Sequence, residues 1–385
     1  MKSVRASHTG DTTPCAFKSI FCGYIANMAD NFYIIDGYAQ IFRAYYAIRT
    51  AMHSPDTGEP TNAVFGFTGM LLKLFEKYQP QYVVVAIDMP GRTFRDELYT
   101  QYQQLHPSNA GTSLPPVGIE GIEGTGGEPV DPFGGGETET PGETGAEAEP
   151  TGRYVEYKGT RRATPDDLTI QIDRIFQVVQ AFGIPILGLS GLEADDVIAT
   201  LAQKVLEDPQ YSNVHIRMVS KDKDLEQLLC DRVSLFDVHT DITRDVAGLL
   251  TDKGITPAQV VDVMALTGDT VDNVPGVEGI GPKTAAQLVR QYGDMETLLQ
   301  SLDQIKGKRR ECLEKARDFL PVSKAMVTLK RDADLPFSMD AARAKPINTE
   351  RLIPLFQTLG FHRYQEKAQQ LAAQNVPSTP ESSGK

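Results

Sequence analysis

The sequence predicts an α/β fold with a mostly parallel central sheet flanked by helices. Two observations carry this. Phe32 to Asp36 (FYIID) and Tyr82 to Asp88 (YVVVAID) are short, continuously apolar and β-branched, as strands buried on both faces are. Helical patterns lie between and after them, at Ala63 to Tyr78, Leu168 to Phe182 and Ala194 to Leu206. Val214 to Ser220 reads as a third strand and Val233 to Val238 as a weaker fourth. From Thr256 onward the strand signals stop, and short helices with Gly-rich turns take over.

This gives an expected organisation. Residues 1–30 form a disordered extension or the product of an upstream start, since Met28 sits just ahead of the first strand. Residues 31–250 form the α/β core, interrupted by an acidic insertion at 103–152. Residues 251–373 form a helical subdomain, and 374–385 a Pro/Ser-rich tail or linker. The insertion is rich in Gly, Glu, Pro and Thr, nearly free of large apolar residues and without period, so it cannot offset the entropy of ordering.

At 385 residues, with 41% apolar and 23% charged residues, the chain has an ordinary soluble composition. No stretch is apolar enough to span a bilayer. Lys2 and Arg5 precede a semi-apolar run, but Lys18 breaks it, which argues against a signal peptide. Cys15, Cys22, Cys230 and Cys312 show no CxxC pairing, which fits a reduced cytoplasmic compartment. The net charge of −13 is unevenly placed. Nine acids lie in the insertion with no Lys or Arg among them, and without them the rest carries −4. Setting aside nine further carboxylates assigned below to metal ions leaves +5, so a nucleic-acid partner is not excluded.

Those nine are Asp36, Asp88, Glu193, Asp195, Asp196, Asp222, Asp224, Asp269 and Asp272. Asp36 and Asp88 close apolar strands, where open α/β sheets bind ligands. Alone, either is explained as well by the preference of Asp for turns. The third strand also ends in acid, with Asp222 and Asp224 flanking Lys223 in Ser220-Lys221-Asp222-Lys223-Asp224. Glu193, Asp195 and Asp196 open a helix. One acid there would serve the helix dipole, but three within four residues repel one another unless cations are near. Asp269 and Asp272 lie in GDTVDN, which in isolation reads as a turn. No His or Cys accompanies the set. All-oxygen ligation suits Mg²⁺ or Mn²⁺, and the number of acids suggests two or more ions, the arrangement of metal-assisted phosphoester hydrolysis.

Directly after GDTVDN runs Val277-Glu278-Gly279-Ile280-Gly281-Pro282-Lys283-Thr284. Gly279 and Gly281 permit a tight turn with exposed amides, Pro282 suits a first helical position, and Lys283 adds charge at a helix N-terminus. This predicts a helix–hairpin–helix over 274–292 that grips duplex backbone without reading bases.

With these residues in place, the chain resembles the 5′-nuclease domain of bacterial DNA polymerase I, a relative of phage 5′ exonucleases and flap endonucleases. The stretches that carry the resemblance are IIDGYAQIFRAYYA (34–47), AIDMPGRTFRDELY (86–99), YKGTRRATPDDL (157–168), GLEADDVIATLA (191–202), SKDKDLEQLL (220–229) and LTGDTVDNVPGVEGIGPKTAAQLV (266–289). The resemblance implies a PIN-like nuclease core, a helical arch over the site and a helix–three-turn–helix grip on DNA, with a potassium ion at that grip. It implies that the nine acids are metal ligands, and that Asp88, Arg95 and Lys158 are catalytic. It nominates Arg43, Arg95, Lys158 and Arg161 as phosphate contacts, Tyr157 as a base-stacking residue, and Gly279, Gly281, Lys283 and Thr284 as the duplex grip. The implied substrates are DNA 5′ flaps and 5′ ends, RNA primers included. The expected protein is a monomer, nucleoid-associated in the cytoplasm, either a stand-alone exonuclease or the front piece of a polymerase. A non-catalytic relative would have lost carboxylates, and a PIN-type ribonuclease would lack the hairpin.

The chain departs from the family pattern in two places. Lys221 stands where family members often have Gly, with only a local backbone change expected. The acidic insertion separates ELYTQY (97–102) from VEYKGTRR (155–162), so Tyr102 and Tyr157 compete for the stacking position. Tyr157 is favoured because Lys158 and Arg161 follow it at family spacing. The insertion is read either as a tolerated surface loop or as an acidic loop competing with DNA for the basic arch.

Overall fold

The computed structural model describes residues 30–105, 157–158 and 164–374. Three regions named in the sequence fall outside these: the N-terminal extension, nearly all of the acidic insertion, and the tail from 375. Arg161 falls outside them too. Among the described residues, six strands form one sheet in the order β3-β2-β1-β4-β5-β6. They are β1 (Asn31–Asp36), β2 (Tyr82–Ala86), β3 (Ile186–Leu187), β4 (His215–Val219), β5 (Val233–Asp237) and β6 (Ile242–Arg244). All pairings are parallel except β5 with β6.

The first strands are apolar throughout because both faces of the sheet are covered. Phe32, Ile34 and Val84 pack in one cluster with Val197, Ile198 and Leu201 of α5 (Ala194–Glu207). Tyr33, Ile35, Val83 and Val85 face the other way, onto α1 (Gly37–Ala47), α2 (Asn62–Lys73) and α4 (Asp166–Ala181). Adjacent residues on a strand point to opposite sides, and here both sides are dry. A further helix, α3 (Phe94–Leu105), follows β2, so residues 103–105, assigned from sequence to the insertion, continue a helix.

The expected strands and helices are present with three differences. β2 ends at Ala86, two residues before Asp88. α2 stops at Lys73 and continues as a π-helical turn, Leu74–Tyr78, closed by Gln79 at φ 43°. β3 and β6 went unread, being only two and three residues long.

After β6 the chain is helical: α6 (Val246–Lys253), α7 (Pro257–Thr267), α8 (Pro282–Tyr292), α9 (Met295–Gln300), α10 (Lys308–Ala316), α11 (Leu320–Val327), α12 (Met339–Ala342), α13 (Thr349–Thr358) and α14 (His362–Gln374). Helices α7 to α11 share the α5 side of the core. The last two return to the opposite side, where Leu352, Phe356, Ala368 and Leu371 pack with Phe67 and Leu71. Cys230 and Cys312 are free thiols. Among the described residues no helix is long and apolar enough to cross a membrane.

Candidate functional site

The order in which strands are added reverses at β1. β2 and β3 extend the sheet one way, β4 and β5 the other, and β1 pairs directly with β4. The carboxyl end of such a switch point is where α/β sheets form a ligand crevice. Asp36 ends β1 and caps α1, accepting a hydrogen bond from the Ala39 amide at 3.2 Å. Ser220, just past β4, donates its hydroxyl to Asp36 Oδ2 at 2.9 Å and accepts from the Asp222 amide at 3.1 Å. Asp222 caps the following 3₁₀ turn by accepting from the Asp224 amide at 2.9 Å. Asp88 Oδ1 accepts from the Ala194 amide at 2.8 Å, which ties the end of β2 to the start of α5.

The acids of these elements share one field. Burial raises Asp36 to about 7, with Asp222 and Asp88 adding to it against the hydrogen bonds from Ser220 and Ala39. Asp195, half-buried, is raised well above the usual carboxylate range by burial and by Asp222, Asp36, Asp224 and Asp88. Asp224 is raised in the same way, by burial, Asp222, Asp269 and Asp272. Its Oδ1 is buried with no hydrogen-bond partner. Asp222 is raised by burial and by Asp272 and Asp269. At Asp269 burial acts against the charge, but Lys223, 2.8 Å from Oδ2, keeps its pKa low. Glu193, Asp195, Asp224, Asp269 and Asp272 line one narrow cleft with Arg95 and Tyr157. Eight of the nine nominated acids are thus brought together. Among the described residues, no three His, Cys, Asp or Glu side chains are drawn tightly enough to hold an ion directly.

The ninth acid has another task. Asp196 is fully buried and accepts from Arg95 Nη1 at 2.5 Å and Nη2 at 2.9 Å. It also accepts from the Lys330 amide at 2.8 Å and the Glu193 amide at 3.2 Å. Both of its oxygens are engaged by the protein, which gives this nominated metal ligand a structural role. The same contact holds Arg95. Nominated as a phosphate contact and catalytic group, it is 2% exposed and also donates to the carbonyls of Met326 (2.7 Å) and Thr328 (3.2 Å). It lines the cleft wall, where Nη1 also lies 3.6 Å from the cleft acid Glu193. Arg43, also nominated as a phosphate contact, is held by Asp237 through both terminal guanidinium nitrogens.

Lys158 does sit at the cleft. Its Nζ is 2.8 Å from Glu193 Oε2, its amide donates to the Asp272 carbonyl at 3.3 Å, and its φ is 57°. Tyr157 lines the cleft beside it but is only 9% exposed, and Tyr102, 5% exposed, packs edge-on against Phe319 at 5.6 Å. A larger concavity of about 490 Å³ lies elsewhere, between the end of α1 and the starts of α2 and α4, and holds none of the nine acids.

The loop 268–276 closes on itself through reciprocal Asp269 and Val274 backbone bonds of 2.9 and 2.7 Å. Gly268 (φ 71°) and Gly276 make this possible: a Cβ on Gly276 would lie 2.2 Å from the Thr267 carbonyl oxygen. Gly276→Ala is therefore expected to destabilise the protein by about 2–3 kcal/mol, read by chemical denaturation, and to displace Asp269 and Asp272. Unchanged stability would refute the close-packing argument. Beyond the loop, Gly279 takes φ 72°, Gly281 caps α8, Pro282 is its first residue, and Lys283 is exposed. Within the expected bounds of 274–292 lie the turn and one helix, α8; the helix before the turn, α7, ends at Thr267, outside them.

Sequence reasoning left Ser220, Asp237 and Asn273 unassigned. Asn273, buried at φ 59°, donates to the Tyr99 hydroxyl at 2.7 Å. Asp237 closes β5 as Asp36 closes β1, and the same strand-end signal could have found it.

Fold and site together define a class: a parallel sheet carrying a carboxylate cleft at its switch point, followed by a helical hairpin module. A family model described as the 5′-3′ exonuclease N-terminal resolvase-like domain matches residues 31–110 and 147–262. One described as the 5′-3′ exonuclease C-terminal SAM fold matches 255–350. The 5′-3′ exonuclease of Aquifex aeolicus is 30% identical over 327 residues, covering 85% of this chain and 91% of that protein. DNA polymerase I of Bacillus caldotenax is 32% identical over 340 residues, covering 87% of this chain. This chain spans 32% of that polymerase. The chain belongs to the 5′-3′ exonuclease family. Its fold is shared with T5 5′-exonuclease, solved with bound divalent metal ions, at 17% identity and a TM-score of 0.53, covering 89% of this chain and 99% of that one. It is shared as well with the catalytic core of Rad2 in complex with DNA substrate, at 13% identity and 0.50, covering 91% and 93%.

Proposed function

We propose that this chain hydrolyses phosphodiesters at DNA 5′ flaps and 5′ ends, RNA primers included, using two or more Mg²⁺ or Mn²⁺ ions in the acid cleft. The observation that carries this reading is the convergence of eight carboxylates from five separate segments onto one cleft. Buried like charges with raised pKa values, and a buried carboxylate oxygen with no partner at Asp224, form a donor set suited to hard cations. Their spacing favours ligation partly through water, since Mg²⁺ retains much of its hydration. When bound, such ions would supply Lewis acidity at the phosphate and a nucleophilic water.

The residues of the chain divide the remaining work. Asp36, Asp88, Asp195, Asp222, Asp224, Asp269 and Asp272 hold the cations, and Ser220 orients Asp36. Lys158, fixed between Glu193 and the Asp272 carbonyl, is placed to meet negative charge developing on the phosphate. Tyr157 offers a ring at the cleft for the terminal base, and Arg161 follows as a phosphate contact. The amides after Gly279 and Gly281, with Lys283 and Thr284, grip the duplex backbone; a K⁺ ion at that grip would be held by oxygen acceptors of the turn, not by these donors. We infer a monomer acting in the cytoplasm.

The test is cleavage of a labelled 5′-flap duplex. The expected result is cutting near the branch in Mg²⁺ or Mn²⁺ and none in EDTA. Equal cutting in EDTA, or no cutting with either metal, overturns the reading.

A further inference from the structure

Asp237, 7% exposed at the end of β5, faces two cations from different segments. Arg43 of α1 reaches Oδ1 and Oδ2 at 2.8 and 3.1 Å, and Lys221 Nζ lies 3.3 Å from Oδ2. The Thr240 hydroxyl (2.7 Å) and the His239 amide (2.9 Å) fix the carboxylate from its own turn. Burial first, and then the charges of Arg43, Lys73 and Lys221, hold His239 down at about 4, so it adds no positive charge near neutral pH and the cations crowd one spot. One carboxylate balances one cation, so the group keeps a net positive charge. Lys221 is 52% exposed and Arg43 25%. Both stand beside the acid cleft: Lys221 lies between Ser220 and Asp222, and Arg43 is on the helix capped by Asp36.

We propose that Asp237 is a positioning residue that holds Arg43 and Lys221 together as a two-cation clamp for a DNA phosphate beside the cleft, with Lys221 as an added phosphate contact. This rests on the DNA reading given above. A pair of cations tied to a rigid strand end grips phosphate with less entropy lost than two untethered side chains. Asp237 gives the Lys221 side chain an anchor.

The experiment measures equilibrium binding of 5′-flap DNA in EDTA against salt, and KM and kcat in Mg²⁺, for Lys221→Met, Asp237→Asn and the double variant. Lys221→Met is expected to lower the slope of log affinity on log salt by about 0.9 and to raise KM several-fold, with the loss carried by KM rather than kcat. Asp237→Asn removes a negative charge, yet is expected to weaken binding, and the double variant to lose less than the sum of the singles. Tighter binding by Asp237→Asn would show that the carboxylate only screens the cations, and overturns the proposal. So does an unchanged slope and KM in Lys221→Met, whose half-exposed position keeps the test readable if Asp237→Asn folds poorly. A wild type that cuts flap DNA while the variants match it sinks this inference alone. A wild type that neither binds nor cuts sinks the parent reading as well.

Discussion

Asp195→Asn is expected to lower metal-dependent cleavage by at least about 100-fold, the upper end of what an outer-shell substitution costs a metal site, while raising the thermal stability of the protein in EDTA. The opposite signs have one cause. Partial burial, and then the field of Asp222, Asp36, Asp224 and Asp88, penalise the charged form of Asp195. A carboxyl whose folded pKa exceeds its unfolded value binds more protons when folded. Its favourable contribution is complete at low pH and is lost as pH rises through the folded value. Unfolded Asp titrates near about 3.9. Asp36, which shares the cluster, titrates near 7 when folded. In EDTA the wild type should therefore lose stability as pH rises above the unfolded carboxylate range, and the Asn variant should lose less. Melting curves at pH 5 and pH 8 check this, with the gain of the variant larger at the higher pH. Mg²⁺ should raise the wild-type midpoint more than the variant midpoint, because ligand stabilisation scales with affinity. A variant that melts with the wild type at pH 8 in EDTA would remove the electrostatic account of the cleft.

The strands and the acid clusters were legible in the sequence for the same reason. A strand covered on both faces must be apolar throughout, so the residue that breaks the run marks the sheet edge. At β1 and β4 that residue, or one within three positions, is an acid of the cleft. The reading failed where a side chain's partner is distant in sequence. Asp196 and Asp195 are neighbours in one acidic run, but on a helix they are turned about 100° apart. One faces the cleft and the other faces Arg95, and the run alone carries no sign of the difference. Arg43 and Arg95 were assigned to phosphate because both lie in nuclease motifs. The structure spends both on carboxylates, and only one of the two sits near a surplus cation. The β3 and β6 strands exist through pairing with β2 and β5, a tertiary effect that a two- or three-residue run cannot signal.

Arg95→Ala is expected to cost about 3–5 kcal/mol of folding free energy, because it leaves the fully buried Asp196 without its cation. The guanidinium braces three segments: it begins α3, pairs with α5 through Asp196, and caps the carbonyls of Met326 and Thr328 at the end of α11. Arg95→Lys should recover only part of this, since one ammonium cannot match the planar fork that meets four acceptors. Pairing Arg95→Met with Asp196→Leu should recover more, by removing both buried charges together. Urea unfolding separates these outcomes, and stability within about 0.5 kcal/mol of wild type for Arg95→Ala would restore the phosphate-contact assignment. Any activity lost by Arg95→Ala then has a route through geometry. Asp196 Oδ2 also accepts from the Glu193 amide, and Glu193 positions Lys158. Loosening the brace moves a cleft acid and its lysine together. The defect should therefore shrink as stabilising osmolytes reclose the fold, which loss of a phosphate-binding cation would not do.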